Sequence, residues 1–452
     1  MTNFWNLEKF QNQIAIYTDS GEKLSYGDIL KKIEPVEKIL KSNSHSLVFC
    51  KCKNDINSIV NYIAALRSNC PVLLIDEEIN KKYLSTLIKS YNPQFILGDE
   101  IIELDSNFKC YKELAVLLST SGSTGNPKLV RLSKLNIQDN AESIAKYLEI
   151  NQSDRALTTL PFHYSYGLSI INSHLLVGAS ILLTEDSIIS KKFWDFTNDY
   201  KATSIAGVPY TFDMLKKLRF ENMQISSLRY MTQAGGKLPF NLAKHFTKTC
   251  IEKNIEFYIM YGQTEASPRM SFFKTNDALE KLESIGKAIP GGKLYLNNEK
   301  GYKIENINEQ GELIYEGLNV MLGYAYKQND LKKSEELNGV LHTGDLAHFD
   351  KDGYFYITGR KNRFTKIHGL RINLDDISNY LINNNIDGVA IGTDKNICIA
   401  STQEIDEKMK KMLQKEYKLH HSIIKIIYVD EIPKNSAGKV LYSKIKEMFN
   451  GK

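Results

Sequence analysis

Short apolar runs ended by polar or glycine-bearing turns recur along most of the chain, and longer stretches with apolar residues three and four positions apart lie between them. The runs Ser46–Cys50 (SLVFC), Val72–Ile75, Phe95–Leu97, Leu114–Leu118, Ile181–Leu183, Ser204–Val208 and Glu256–Ile259 predict buried strands, whereas Ile56–Arg67 and Leu135–Leu148 carry the helical period. A strand apolar at consecutive positions needs both faces covered. The alternation up to about residue 340 therefore predicts parallel sheets with helices packed on them. Past Ile285 the pattern turns to strand and turn, in GKLYL, GELIY and GYFYITGR, which predicts a mostly antiparallel β subdomain over about residues 285–360. Asp352-Gly353 reads there as a hairpin turn. Residues 361–452 are rich in Lys, short of Gly, and place two helical stretches, Leu374–Asn383 and Ile405–Tyr417, among short strands. The polar stretch Gly359–Asn362 sets the boundary. The predicted fold is α/β: a large N-terminal domain of parallel-type sheets with helices and a β subdomain (1–360), then a small α+β C-terminal domain (361–452).

Composition narrows the function classes without choosing one. A chain of 452 residues is too long for a single core, and 42% hydrophobic with 25% charged residues is the balance of a globular protein. The net charge of +5 is spread along the chain in Lys pairs, which gives a solvated surface and no nucleic-acid face. The start, MTNFWNLEKF, has no apolar leader, and no apolar run approaches the roughly 18 residues of a membrane span. Six scattered cysteines include one close pair, Cys50 and Cys52, with no second pair to complete a zinc site; they read as reduced thiols of a cytoplasmic protein.

The most informative segment is Leu118–Lys128, LSTSGSTGNPK. It is too polar to build a core; it offers backbone N–H groups, hydroxyls and one cation at the end of a predicted strand, the equipment of a phosphate-wrapping loop. It runs directly into a helix-like stretch. A Walker loop starting at Gly122 needs glycine where Pro127 stands, and the kinase pattern also fails. Tyr261-Gly262-Gln263-Thr264-Glu265 follows a strand-like run; the Tyr can stack on a purine, and Thr and Glu can face a phosphate and its Mg²⁺. His342-Thr343-Gly344-Asp345 offers a carboxylate suited to two ribose hydroxyls, with Arg360 nearby. Pro433–Lys439 is a loop ending in Lys. Each of the last three also reads as an ordinary turn or basic tail.

Taken in order, these segments resemble the adenylate-forming superfamily: acyl-CoA synthetases, aryl-CoA ligases, luciferases and peptide-synthetase adenylation domains. The resemblance runs from Leu24-Ser25-Tyr26 to Lys439, through Ala64–Asp76, Leu160-Pro161-Phe162-His163, Tyr166-Gly167-Leu168, Val208-Pro209, Ser227-Leu228-Arg229, Ala234-Gly235-Gly236, Gly311-Glu312-Leu313, Gly323-Tyr324 and Gly369-Leu370-Arg371. It implies ATP-dependent activation of a carboxylic acid to acyl-AMP with release of pyrophosphate, then transfer to a thiol, either CoA or a carrier-protein phosphopantetheine. It also implies roles. Thr120, Ser121, Gly122, Ser123, Thr124, Gly125 and Lys128 hold the outer phosphates. Ala234, Gly235, Gly236, Tyr261, Gly262 and Gln263 meet adenine, Asp345 and Arg360 the ribose, and Thr264 the α-phosphate. Glu265 holds Mg²⁺, and His163 and Lys439 stand with Thr264 and Glu265 in the catalytic set. The small C-terminal domain is implied to be mobile: Lys439 serves adenylation, and a face that includes Arg371 serves transfer. Asn362 takes the place of the usual Asp or Lys at the pivot.

The resemblance places the acyl pocket along His163–Ser173, after Val208-Pro209 and at Gln233–Gly236. The run HYSYGLSIINSH has no carboxylate for a substrate ammonium, which favours a fatty, aromatic or other carboxylic acid over an α-amino acid. Ser165, Ser169, Asn172 and Ser173 make that wall partly polar, and Lys237 either pairs with a second carboxylate or faces solvent. Three further readings stand beside the acid–thiol ligase: an amino-acid adenylation enzyme loading a carrier protein, a silent nucleotide-binding scaffold, and a phosphotransferase. Retention of Lys128, Glu265, Asp345, Arg360 and Lys439 argues against the scaffold. The expected partners are a small carboxylic acid and an acyl carrier protein, with the chain a monomer or homodimer.

Overall fold

The computed structural model describes residues 3–119, 128–367, 370–392, 396–417, 420, 423–434 and 440–450. Two large mixed sheets carry the chemistry. One has seven strands in the order Gly323–Ala325, Leu129–Ser133, Leu114–Ser119, Val72–Asp76, Val48–Cys52, Phe95–Leu97 and Ile101–Glu103. The other has nine: Lys287–Ala288, Arg269–Lys274, Glu256–Gly262, Tyr230–Gln233, Ser204–Gly207, Arg155–Leu157, Ser180–Leu183, Ile14–Thr18 and Lys23–Ser25. The central strands Val72–Asp76 and Val48–Cys52 of the first sheet, and Ser204–Gly207 and Tyr230–Gln233 of the second, are parallel to their neighbours and buried. Along Val48–Cys52 the pleat sends Val48, Cys50 and Cys52 into one apolar core and Phe49 into another, which is why the sequence shows a continuous apolar run.

Helices Lys134–Tyr147 and Ser165–Val177 pack against each other and against both sheets. Ile137, Ala141, Leu168, Ile171 and Leu175 enter one core, while Ile144, Tyr147 and Tyr166 enter the next. A helix covered nearly all round loses its polar face, and each of those apolar side chains stabilises the layer by roughly 1.5–3 kcal/mol. Ser133 begins the first helix by a reciprocal cap, its hydroxyl accepting from Asn136 N while Asn136 answers its backbone N–H. The second helix presents its N-terminus, Ser165, to the exit of the Glu256–Gly262 strand.

Three expectations change. Lys128 leads into a strand and not a helix: Leu129–Ser133 pairs antiparallel with Leu114–Ser119, Ser119 opposite Leu129, and the helix starts only at Lys134. The polar loop is therefore the connection of a β-hairpin. The strand Gly323–Ala325 leaves the expected β subdomain to pair with Leu129–Ser133, while Lys293–Asn297, Gly311–Glu316, Val340–Phe349 and Phe355–Arg360 form the antiparallel sheet as expected. Beyond Lys439 a helix, Tyr442–Asn450, which the sequence reading did not place, buries Ile445 against Val389 and Ile391. The Asp352-Gly353 turn closes its hairpin, with Asp350 accepting from the N–H groups of Asp352 and Tyr354 and pairing with Lys281. Strands Gly388–Gly392, Ile397–Ser401 and Ile424–Tyr428 with helices Leu374–Asn383 and Glu407–Glu416 enclose two apolar clusters drawn wholly from residues 372–449. All six cysteines are unpaired and buried. No helix among the described residues is long and apolar enough to cross a membrane.

Candidate active site

The strand Glu256–Gly262 runs through the nine-stranded sheet and delivers Tyr261 at its end. A Cβ on Gly262 would lie 1.8 Å from the carbonyl oxygen of Pro268, so only glycine lets the chain double back here. The returning segment carries Gln263, Thr264 and Glu265 in sequence. On the antiparallel sheet, Asp345 stands directly opposite Arg360, a cross-strand pair of unlike charges. These elements meet at one carboxylate. Asp345 Oδ1 accepts from Arg360 Nε at 2.8 Å; Oδ2 accepts from Gln263 Nε2 at 2.9 Å and from the Tyr261 hydroxyl. Asp345 is 2% exposed, whereas the Arg360 side chain is 57% exposed. Burial, and then the Asp345 charge, push the Tyr261 phenol far above its ordinary value, so it stays a donor. Asp345 holds the Arg360 guanidinium firmly in its charged form.

On the other side of the same turn, Thr264 Oγ1 lies 3.2 Å from Ser165 Oγ. Glu265 Oε1 accepts from the Tyr324 hydroxyl at 2.8 Å, and the Lys128 ammonium lies 3.5 Å from the centre of the Tyr324 ring. Tyr324 comes from the strand that left the β subdomain, which is why that strand matters. Burial and Glu265 together raise its phenol, so it too remains a hydrogen-bond donor. Among the described residues no salt bridge engages Glu265. A carboxylate with one free oxygen beside a threonine hydroxyl is a hard-oxygen set that fits Mg²⁺ shared with phosphate oxygens.

The Ala234-Gly235-Gly236 turn closes a third side. Gly235 has φ +84°, and a Cβ there would come within 2.7 Å of the Tyr164 hydroxyl. Gln233 Nε2 donates to Gly236 O at 2.8 Å, and the buried Gln233 Oε1 has no partner among the described residues. His163 Nε2 lies 3.8 Å from Asp76 Oδ2; burial lowers its pKa, Asp76 opposes the shift, and its Nδ1 has no partner among the described residues.

The structure thus places Lys128, His163, Gln233–Gly236 and Tyr261–Glu265 by strand ends of the two large sheets, where α/β proteins bind ligands, and the antiparallel sheet brings Asp345 and Arg360 to Tyr261 and Gln263. Thr120, Ser121, Gly122, Ser123, Thr124, Gly125 and Lys439 lie outside the described residues, as does Gly369. Arg371 stands opposite Lys366 in the backbone register of a separate two-stranded ribbon. Lys237 is exposed. Two side chains were missed. Tyr324 was quoted only as part of a motif, and Arg269, fully buried beside Ser169 at the start of its strand, was not singled out.

The turn Tyr261–Glu265 thus has two carboxylates about it, Asp345 from the antiparallel sheet and Glu265 on the turn itself. The sequence pattern of the AMP-binding enzyme family matches residues 105–325. The chain is 27% identical over 355 residues to the 2-succinylbenzoate–CoA ligase of Bacillus cytotoxicus, covering 75% of this chain and 71% of the relative. Its fold is shared with O-succinylbenzoate coenzyme A synthetase (MenE) from Bacillus subtilis, solved with AMP (TM-score 0.82, 20% identity, 98% of each chain). It is shared also with ATP-bound MatB from Rhodopseudomonas palustris (TM-score 0.81, 20% identity, 99% of each chain).

Proposed function

We propose that this protein is an AMP-forming acid–thiol ligase: it joins a carboxylic acid to AMP with release of pyrophosphate, then passes the acyl group to the thiol of CoA. One observation carries this reading. The single turn Tyr261–Glu265 engages Asp345 and Arg360 on one side and aligns Thr264, Glu265, Tyr324 and Lys128 on the other. Ribose and phosphate subsites so placed leave the α-phosphate beside Thr264 and Ser165, where the acyl helix begins.

The chemistry is the meeting of two anions, and it needs fixed positive groups at the developing charge. Asp345 accepts the ribose hydroxyls, with Arg360 as the exposed partner that can turn toward them. Tyr261, tied by its hydroxyl to Asp345, offers its ring to adenine; Gln233 Oε1 is an open acceptor behind the glycine turn, where the nucleotide's amino group would lie. Lys128 and the hydroxyls and N–H groups of residues 120–125 neutralise the departing pyrophosphate. Glu265 would hold Mg²⁺, which when bound screens the phosphate charge. His163, held neutral by burial, lines the substrate side without adding charge. Lys439 is assigned to the carboxylate and α-phosphate oxygens during adenylation. Residues 361–452, with their own apolar clusters, are the small domain that carries Lys439 in and then presents Arg371 for transfer.

The named CoA ligases among the relatives support CoA over a carrier protein as acceptor, and the absence of a carboxylate on the acyl helix supports an acid without an α-ammonium group. The acid in those relatives' names, 2-succinylbenzoate, opens the panel of acids to try. Six unpaired thiols support a cytoplasmic location, and we assign the chain as a monomer or homodimer. The test is carboxylate-dependent exchange of labelled pyrophosphate into ATP, followed by addition of CoA or a phosphopantetheinylated carrier. Exchange with some acid, and thioester on CoA, is the expected result. No exchange with any acid, with ATP still bound, overturns the reading in favour of a nucleotide-binding scaffold.

A further inference from the structure

Arg269 begins the strand that returns from the Tyr261–Glu265 turn, and its side chain is 2% exposed. A buried guanidinium is ordinarily matched by a carboxylate, because an uncompensated charge in the interior is costly. Arg131, the other fully buried arginine here, has Glu336. Among the described residues Arg269 has no acidic partner. Its Nε and Nη2 both donate to the one oxygen of Ser169, at 3.3 and 3.1 Å, and Nη1 points to the Tyr147 hydroxyl and the Met260 sulfur. The Tyr166 ring lies 4.2 Å from the guanidinium carbon. The Nε/Nη2 edge is the edge that matches two carboxylate oxygens, and here a single neutral hydroxyl occupies it. The π face and the sulfur soften the cost of the bare charge without neutralising it.

The placement gives this cation a role. Ser165 and Ser169 lie four residues apart on one face of the acyl helix, about 6 Å along its axis. Ser165 faces Thr264, beside the reacting α-phosphate; Ser169 faces Arg269. A substrate activated at Thr264 and extending along that face reaches the guanidinium one helical turn deeper.

We propose that Arg269 is the specificity residue for a second carboxylate on the acyl substrate, so that the acid activated is a dicarboxylic acid. The distal carboxylate takes the Nε/Nη2 edge and Ser169 Oγ turns to donate to it. This rests on the acid-ligase reading above and adds the substrate class to it. Lys237, the cation considered for that task from sequence, faces solvent.

The test compares linear and aromatic dicarboxylic acids, 2-succinylbenzoate among them, with their distal monomethyl esters in pyrophosphate exchange by the wild-type chain. The diacid is expected to exceed its ester by roughly 100-fold in kcat/KM, since a site built for a charged group rejects the analogue that lacks it. Arg269→Gln is expected to lower kcat/KM for the diacid about 100-fold, mainly through KM, while turnover of the ester stays within about threefold, and Arg269→Lys falls between. A wild-type ratio near one, or full diacid turnover by Arg269→Gln, overturns the proposal and leaves the ligase reading standing. If the variant loses both activities, the wild-type ratio alone decides. Exchange with no acid of either kind overturns the ligase reading itself.

Discussion

The two ends of the site treat buried charge in opposite ways. At the ribose end, Asp345 is met by Arg360, Gln263 and Tyr261, so its charge is balanced before any nucleotide arrives. At the acyl end, Arg269 is held by a serine hydroxyl, a tyrosine hydroxyl, a sulfur and a ring, and its charge is balanced by nothing in the described chain. In the proposed function the Asp345 end takes a part that every AMP-forming reaction shares, so it can be closed on itself and opened by moving one exposed arginine. The acyl end recognises the part that differs between enzymes. A cation left without its anion there is a stored preference for a ligand that brings one.

Breaking the ribose end should cost most. Asp345→Ala leaves Arg360 and the Tyr261 hydroxyl without their shared acceptor and removes the ribose hydroxyls' partner; a loss of about 3–4 kcal/mol, roughly 10²–10³ in kcat/KM for ATP, is expected from steady-state kinetics. Glu265→Gln keeps the Tyr324 hydrogen bond but removes the anion, so a roughly 10²-fold fall with a raised Mg²⁺ requirement should appear in a metal titration. His174 sharpens the contrast, because it lies on the acyl helix yet serves packing alone: its Nδ1 lies 2.8 Å from Ile170 O and its Nε2 3.2 Å from the Tyr230 hydroxyl. Burial pushes its pKa from 6.5 down to about 4, opposed by the Ile170 carbonyl and Asp154. The unfolded chain thus binds the proton more readily, and stability is present above pH 6.5 and lost as pH falls from 6.5 toward 4. The loss is roughly 3 kcal/mol, and His174→Gln should flatten that slope in denaturant melts while leaving the preference between diacid and ester intact. Tyr324→Phe should do least, about fivefold in kcat/KM, because Glu265 keeps its charge and loses one hydrogen bond worth about 1 kcal/mol.

Local pattern carried much of this site into the sequence. The strands that end at Ser119 and Gly262, the hairpin turn at Asp352-Gly353 and the helix Leu374–Asn383 are written in runs of consecutive residues, and the elements fall within a few residues of where those runs imply. What was not legible depended on distant partners. Leu129–Ser133 did not read as a strand because Arg131 breaks its apolar run, and only the fold supplies Glu336 and the Lys333 carbonyl that bury it. Tyr324 reaches Glu265 because a three-residue strand changes sheets. Arg269 drew no reading from the sequence, because its partners Ser169 and Tyr147 come from helices about 100 residues away.

The central claim is that this site activates a carboxylate by joining it to AMP. The direct measurement is product analysis of a single turnover: enzyme in excess, MgATP and a dicarboxylic acid, quenched and resolved by mass. The account predicts acyl-AMP and pyrophosphate in equal amounts before a thiol is added, and AMP with a CoA thioester after. ADP and orthophosphate with no acyl-AMP at any time would contradict it.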